Sequence, residues 1–102
     1  MSLKHIVYLV TGYSLIVPAI AMAADATGNA PEKTQLCSQC HGANGISTNP
    51  KIPNLASQKK DYILKALGDF RAGKREDTMM STIAKGLSET EIEELATYYS
   101  GL

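Results

Sequence analysis

The sequence predicts an all-α domain, and three observations point there. Apolar residues recur at helical spacing in two stretches of the second half. Both stretches are bounded by capping residues or glycine. No stretch alternates with strand period for long enough to argue a sheet. The expected architecture is three or four short helices packed around something held between them.

In chain order, the first element stands apart from that domain. Lys4 and His5 form a short basic region, followed by a mostly apolar run from Ile6, then Pro18, then small residues ending Ala21-Met22-Ala23. That is the layout of a secretory signal, with cleavage expected after Ala23 or one residue later. An uncleaved anchor is the alternative, since Ile6 to Ala24 approaches the ~20 apolar residues a span needs. Thr11, Gly12, Ser14 and Pro18 weaken that run. Either way the rest of the chain is expected to be exported and periplasmic, touching a membrane only if the segment stays.

Residues 24–102 then form a single small domain. A chain of this size buries a modest core and often needs a staple such as a metal, disulfides or a large cofactor.

Pro31, with Asn29 or Ala30 before it, suits a helix start, and that helix is expected to run to Cys40 and stop at Gly42. The stretch from Gly42 to Ser57, rich in Gly, Asn, Ser and Pro, reads as an irregular loop. Between Asp61 and Gly73, the residues Ile63, Ala66, Leu67 and Phe70 make one helical stripe. Ser88 opens a last helix through a capping box with Glu91, and Ile92, Leu95, Ala96 and Tyr99 share its buried face.

Ten basic residues balance ten acidic ones, so neither nucleic acid nor an anionic membrane is an obvious partner for the whole surface. The distribution is uneven. Lys51, Lys59, Lys60, Lys65, Arg71, Lys74 and Arg75 dominate the middle, while Glu76, Asp77, Glu89, Glu91, Glu93 and Glu94 dominate the end. Ordinary solvated helix faces account for this pattern as well as a functional dipole does.

The chemistry concentrates in "CSQCH", Cys37 to His41. A structural zinc site needs four ligands, and beyond Ala23 only Cys37, Cys40 and His41 are cysteine or histidine. A redox dithiol belongs at a helix start after a strand, whereas this pair ends a helix. A disulfide between cysteines three apart would close a tiny loop and stabilise little. Haem explains every letter, because two thiols at this spacing add to the two vinyl groups of one porphyrin and the next residue offers an imidazole to the iron. Such attachment happens outside the cytoplasm, in keeping with the export signal.

From Cys37 onward the chain resembles the small class I c-type cytochromes of bacteria, especially the cytochrome c553-like group and single domains of dihaem cytochrome c4. The resemblance rests on the haem motif followed by Gly42, "NGIS", "IPNLASQ", "DY" leading into "DFRAGKR", a methionine segment, and "LSETEIEELATYYSGL". It implies the class I cytochrome c fold, with terminal helices crossed and packed and one haem c held covalently by Cys37 and Cys40. It also implies axial ligation by His41 and a methionine. Register to the "LS" at Leu87 makes that methionine Met80, with Met79 the second choice. The imidazole's remaining N–H would go to the carbonyl of Pro53, or of nearby Pro50, and Tyr62, at the start of the middle helix, would either reach a haem propionate or pack in the core. Ser57 stands where relatives often have glycine, and Ala66 where they often have glutamine.

The function so implied is one-electron transfer rather than catalysis, between redox protein partners, with lysines from Lys51 to Lys65 framing the haem edge. Two other readings stay open. One is a haem subunit of a larger oxidoreductase, such as one with a flavoprotein subunit acting on a sulfur compound. The other is a haem gas sensor, which would need a labile sixth ligand.

Overall fold

The computed structural model describes residues 12–16 and 29–102. The expected secretory signal, and its boundary at 23 and 24, lie outside the described residues apart from 12–16. Four helices and no strand occur among the described residues: α1 (Thr34–His41), α2 (Lys60–Ala72), α3 (Thr78–Lys85) and α4 (Glu89–Ser100). None of them is long and apolar enough to cross a membrane.

Helix α1 starts three residues after Pro31. The turn that Pro31 opens closes through i to i+3 bonds, with the amide of Thr34 at 2.9 Å and its hydroxyl at 2.6 Å from the Pro31 carbonyl. The tighter turn delays regular helix until Thr34. Its end comes as expected, at Gly42, whose amide still reaches the Ser38 carbonyl at 3.1 Å while φ swings to 88°. A Cβ at position 42 would lie 1.9 Å from the carbonyl oxygen of Ile46. Only glycine fits both the dihedral and that close approach.

The loop beyond folds back on itself. The carbonyl of Gly45 accepts from the amides of Leu55 and Ala56, at 2.7 and 3.0 Å, which closes residues 45–56 into a compact unit. Ser57 follows with φ 62°, a left-handed conformation that favours glycine. Its amide donates to the Tyr99 carbonyl at 3.0 Å and its hydroxyl to the Leu102 carbonyl, so this residue ties the loop to the end of α4.

Helix α2 follows the stripe read from the sequence, burying Ile63 and Phe70, with Leu64, Leu67 and Ala66 half-buried. Gly73 stops it at φ 74°, its amide reaching back to the carbonyls of Asp69 and Phe70.

Helix α3 occupies the methionine segment, where the sequence reading placed no helix. Asp77 is its cap, accepting from the amides of Met79 at 3.0 Å and Met80 at 2.8 Å while its own amide donates to the Ser81 hydroxyl. Ser88 caps α4 by accepting from the Glu91 amide at 3.1 Å. The Glu91 carboxylate does not complete the box by reaching back, and pairs with Lys33 at 3.5 Å instead.

Ile63, Leu87, Ile92, Leu95, Ala96 and Tyr99 form the core, joined at its edge by Cys37, Leu55, Leu64, Leu67, Ile83 and Tyr98. Helix α2 packs on both α3 and α4. Helix α1 meets the core through Cys37. Full burial of a side chain such as Leu95, 1% exposed, contributes about 1.5–3 kcal/mol. Arg71 adds a tie between α2 and the start of α4, at 3.0 Å from Glu89 and 3.5 Å from the Leu87 carbonyl.

Candidate functional site

The four helices and the 42–58 loop enclose a cavity of about 560 Å³, within the range that holds a large organic cofactor. Its walls are mostly apolar. Ile63, Phe70, Leu87, Leu95 and Tyr99 are buried and make its interior, whereas Leu36, Tyr62 and Met79 are substantially exposed and stand at its rim. Every site residue named from the sequence except Pro50 is part of this lining: Cys37, Cys40 and His41 from α1, Pro53 from the loop, Tyr62 from α2, and Met79 and Met80 from α3.

His41 ends α1 and is buried, at 7% exposure. Its Nδ1 lies 2.7 Å from the Pro53 carbonyl oxygen. A carbonyl can only accept, so Nδ1 carries the proton in this bond and Nε2 keeps the lone pair that a metal would use. Pro50, three residues earlier, is exposed and takes no part in the cavity wall.

Cys37 and Cys40 are both free thiols on the cavity wall, the first half-buried and the second exposed. Burial pushes the Cys37 thiol up from its ordinary pKa, against the opposing effect of its hydrogen bond with Tyr99. Its Sγ also lies 3.5 Å from the Lys33 carbonyl. Burial likewise raises the Tyr99 phenol well above its ordinary value, with the neighbouring Cys37 adding to the effect. Both groups therefore stay neutral in the interior at ordinary pH.

Met79 and Met80 open α3 on the lining. Met79 is 60% exposed and Met80 half-buried. The Asp77 cap holds the backbone of both, so the position of either sulfur depends on that one carboxylate.

No group of three or more His, Cys, Asp or Glu side chains among the described residues is placed to hold a metal ion. Two thiols, an adjacent imidazole with a fixed tautomer and thioethers within one apolar cavity suit a porphyrin whose iron needs only axial ligands.

The sequence reading missed two lining residues with polar partners. Arg75 places its guanidinium carbon 4.6 Å from the Phe70 ring centroid and its Nη1 3.5 Å from the Tyr62 hydroxyl. Tyr99, read only as core, also partners Cys37. The Arg75–Tyr62 pair spans 13 residues and the Tyr99–Cys37 pair joins the first helix to the last, and no local motif signals either.

The family described as Cytochrome c matches residues 26–102 of the chain. Cytochrome c4 of Pseudomonas aeruginosa is 33% identical over 87 residues, covering 85% of this chain and 43% of that protein. The cytochrome subunit of sulfide dehydrogenase from Chlorobaculum tepidum is 39% identical over 66 residues, covering 65% of this chain and 59% of that one. Among solved structures, cytochrome c4 of Acidithiobacillus ferrooxidans superposes with a TM-score of 0.62 at 33% identity, covering 76% of this chain and 42% of that one. The chain thus spans less than half the length of these cytochrome c4 relatives.

Proposed function

This chain belongs to the cytochrome c family and carries covalently bound haem c, for which Cys37 and Cys40 form a fitting CxxCH motif, and from that premise we propose a monohaem one-electron carrier with His41 and Met80 as axial ligands. The observation that carries this reading is the bond between His41 Nδ1 and the Pro53 carbonyl, made inside a cavity that Met80 also lines.

Bound haem supplies a one-electron couple at its iron. The protein's residues set the conditions for it. Cys37 and Cys40 would provide the two thioethers, His41 Nε2 one axial position and the Met80 sulfur the other. The hydrogen bond to Pro53 holds the imidazole ring in place and fixes its tautomer. Ile63, Phe70, Leu87 and Leu95 exclude water, and an apolar lining together with a thioether ligand favours the reduced state. A thioether from Met80 would keep small gases from the iron.

The signal layout of residues 1–23 supports an exported, periplasmic protein, with the mature domain at 24–102. Redox proteins would be its partners. The likeness to a cytochrome subunit of sulfide dehydrogenase favours one further reading, that the domain works inside a larger oxidoreductase. Purification from the native membrane and soluble fractions distinguishes the two, since a flavin-bearing subunit in fixed ratio indicates the complex.

A redox titration of the purified haem protein, repeated under carbon monoxide, tests the carrier reading. A reversible one-electron couple with no carbon monoxide adduct of the reduced form is expected. Ready adduct formation at neutral pH would instead mean an open sixth position and a ligand-binding role.

A further inference from the structure

The carbonyl that Pro53 offers to His41 is aimed by few bonds. The proline ring sets its own φ at about −65°. Peptide planarity then locks the Pro53 carbonyl to the amide nitrogen of Asn54, so only the torsions on either side of that plane can turn it. Asn54 restrains this plane from its far side. Its Oδ1 accepts from the Ser47 amide at 2.7 Å, across seven residues of the loop. Directly after it, the Leu55 amide donates to the Gly45 carbonyl at 2.7 Å. Two adjacent ties therefore join the Pro53 limb of the loop to its opposite limb, and one of them is a side chain. Asn54 also lines the cavity beside Pro53.

The other bonded asparagine of the loop does something different. Asn49 Oδ1 accepts from the Lys51 amide at 2.9 Å, and the Ser47 hydroxyl lies 3.1 Å from both the amide and the carbonyl of Asn49. Those bonds span two residues and shape a local turn, without touching the plane between Pro53 and Asn54.

We propose that Asn54 is a positioning residue for the axial imidazole, holding the Pro53 carbonyl in line with His41 Nδ1 through its bond to Ser47. The proposal rests on the haem reading above and deepens it, since Asn54 acts only through Pro53 and His41. The His41 ring is buried, so a carbonyl that swings away leaves its N–H poorly satisfied and its orientation and tautomer unfixed. Asn54 itself is exposed, and water replaces its amide oxygen in part when it is removed. The expected effect is a measurable loosening rather than loss of the site.

Solvent exchange of the His41 Nδ1 proton, followed by nitrogen-correlated NMR of the reduced holoprotein, provides the test. Asn54→Ala is expected to exchange this proton about three- to tenfold faster than wild type. Asn54→Asp, whose carboxylate still accepts from Ser47, restores most of the protection. Ser47→Ala is the control, because it removes the hydroxyl that bonds Asn49 and keeps the amide that bonds Asn54. Its His41 proton should stay within about twofold of wild type even if the loop melts earlier. Wild-type exchange in Asn54→Ala, or equal acceleration in Asn54→Ala and Ser47→Ala, would overturn the proposal. A pyridine haemochrome of each protein separates this failure from the other: a c-type haemochrome with unchanged exchange removes the role of Asn54 alone, whereas its absence from wild type removes the haem reading and this proposal with it.

Discussion

His41 donates from Nδ1 to the carbonyl of Pro53 at 2.7 Å, across twelve residues of chain. The bond joins the end of α1 to the loop that closes the cavity, and it does so through main chain at position 53. The side-chain identity there matters through loop shape alone, while the imidazole gains a fixed tautomer. That relationship depends on how the loop is held, and the glycine next to the histidine holds it.

Gly42→Ala is expected to damage the whole site. The new Cβ meets the Ile46 carbonyl at 1.9 Å and the backbone stands at φ 88°, so strain and clash together cost about 3 kcal/mol or more. Thermal melting should shift down by at least about 10 °C. Gly73→Ala is the control, because φ is 74° there but nothing lies within 4 Å, and its loss should be near 1 kcal/mol. Equal melting points for the two variants would contradict this reading.

Asp77→Ala removes the cap of α3 and is expected to cost about 0.5–2 kcal/mol in chemical denaturation. Because the same carboxylate holds the amides of Met79 and Met80, the variant should also lose its methionine-dependent absorption at a lower temperature than wild type. Asp77→Asn, still an acceptor, should restore most of both properties. A variant that is destabilised with no change in the methionine signal would separate the cap from the ligand.

Charge at the rim concerns the partner. Glu89, Glu91 and Glu93 are matched by Arg71, Lys33 and Lys60, so three of the four glutamates of α4 are compensated in the fold. Within the stretch from Lys51 to Lys65, Lys60 and Lys65 have carboxylate partners, and Lys51 stands on the cavity lining. Stopped-flow reduction by an acidic partner should slow as salt rises, and Lys51→Glu should slow it about tenfold or less at low salt. Lys60→Glu should have the smaller effect. Rates indifferent to salt would exclude steering by these lysines.

Tyr99 gives the fold a pH dependence of known sign. Burial raises the phenol above its ordinary value of 10.0, so the folded state holds it neutral where the unfolded chain would ionise. Its contribution to stability is complete below pH 10 and is lost progressively as pH rises above it. The contribution of Cys37 disappears once that sulfur is a thioether, but burial is the larger cause and the direction stands. Urea denaturation at several alkaline pH values should show stability falling in wild type and a shallower slope in Tyr99→Phe.

Helices α2 and α4 were legible because their buried stripes and stops are local: Ile63 to Phe70 with Gly73, and Ile92 to Tyr99 after Ser88. Helix α3 was not, although Asp77 caps it and Met79, Met80, Ile83 and Ala84 recur at helical spacing behind that cap, because the segment is only eight residues long and buries only Ala84 fully. Pro31 misled by three residues because a tight turn and a helix begin with the same residue. In the site, CSQCH named its own chemistry, and the likeness to a family supplied Pro53 and Met80. Arg75 with Tyr62, and Tyr99 with Cys37, were hidden because only the folded chain brings those pairs together. Ser57 shows the same limit: its departure from glycine was visible, but its left-handed backbone and its tie to Leu102 were not.

Ligation of the iron by His41 and Met80 is the centre of this account, and the sulfur-to-iron charge-transfer band of the oxidised protein reports on it most directly. Wild type and Met79→Ala should both show the weak band, and Met80→Ala should lack it and bind carbon monoxide when reduced. A band that survives Met80→Ala and disappears in Met79→Ala, or that is missing from wild type, would contradict the assignment.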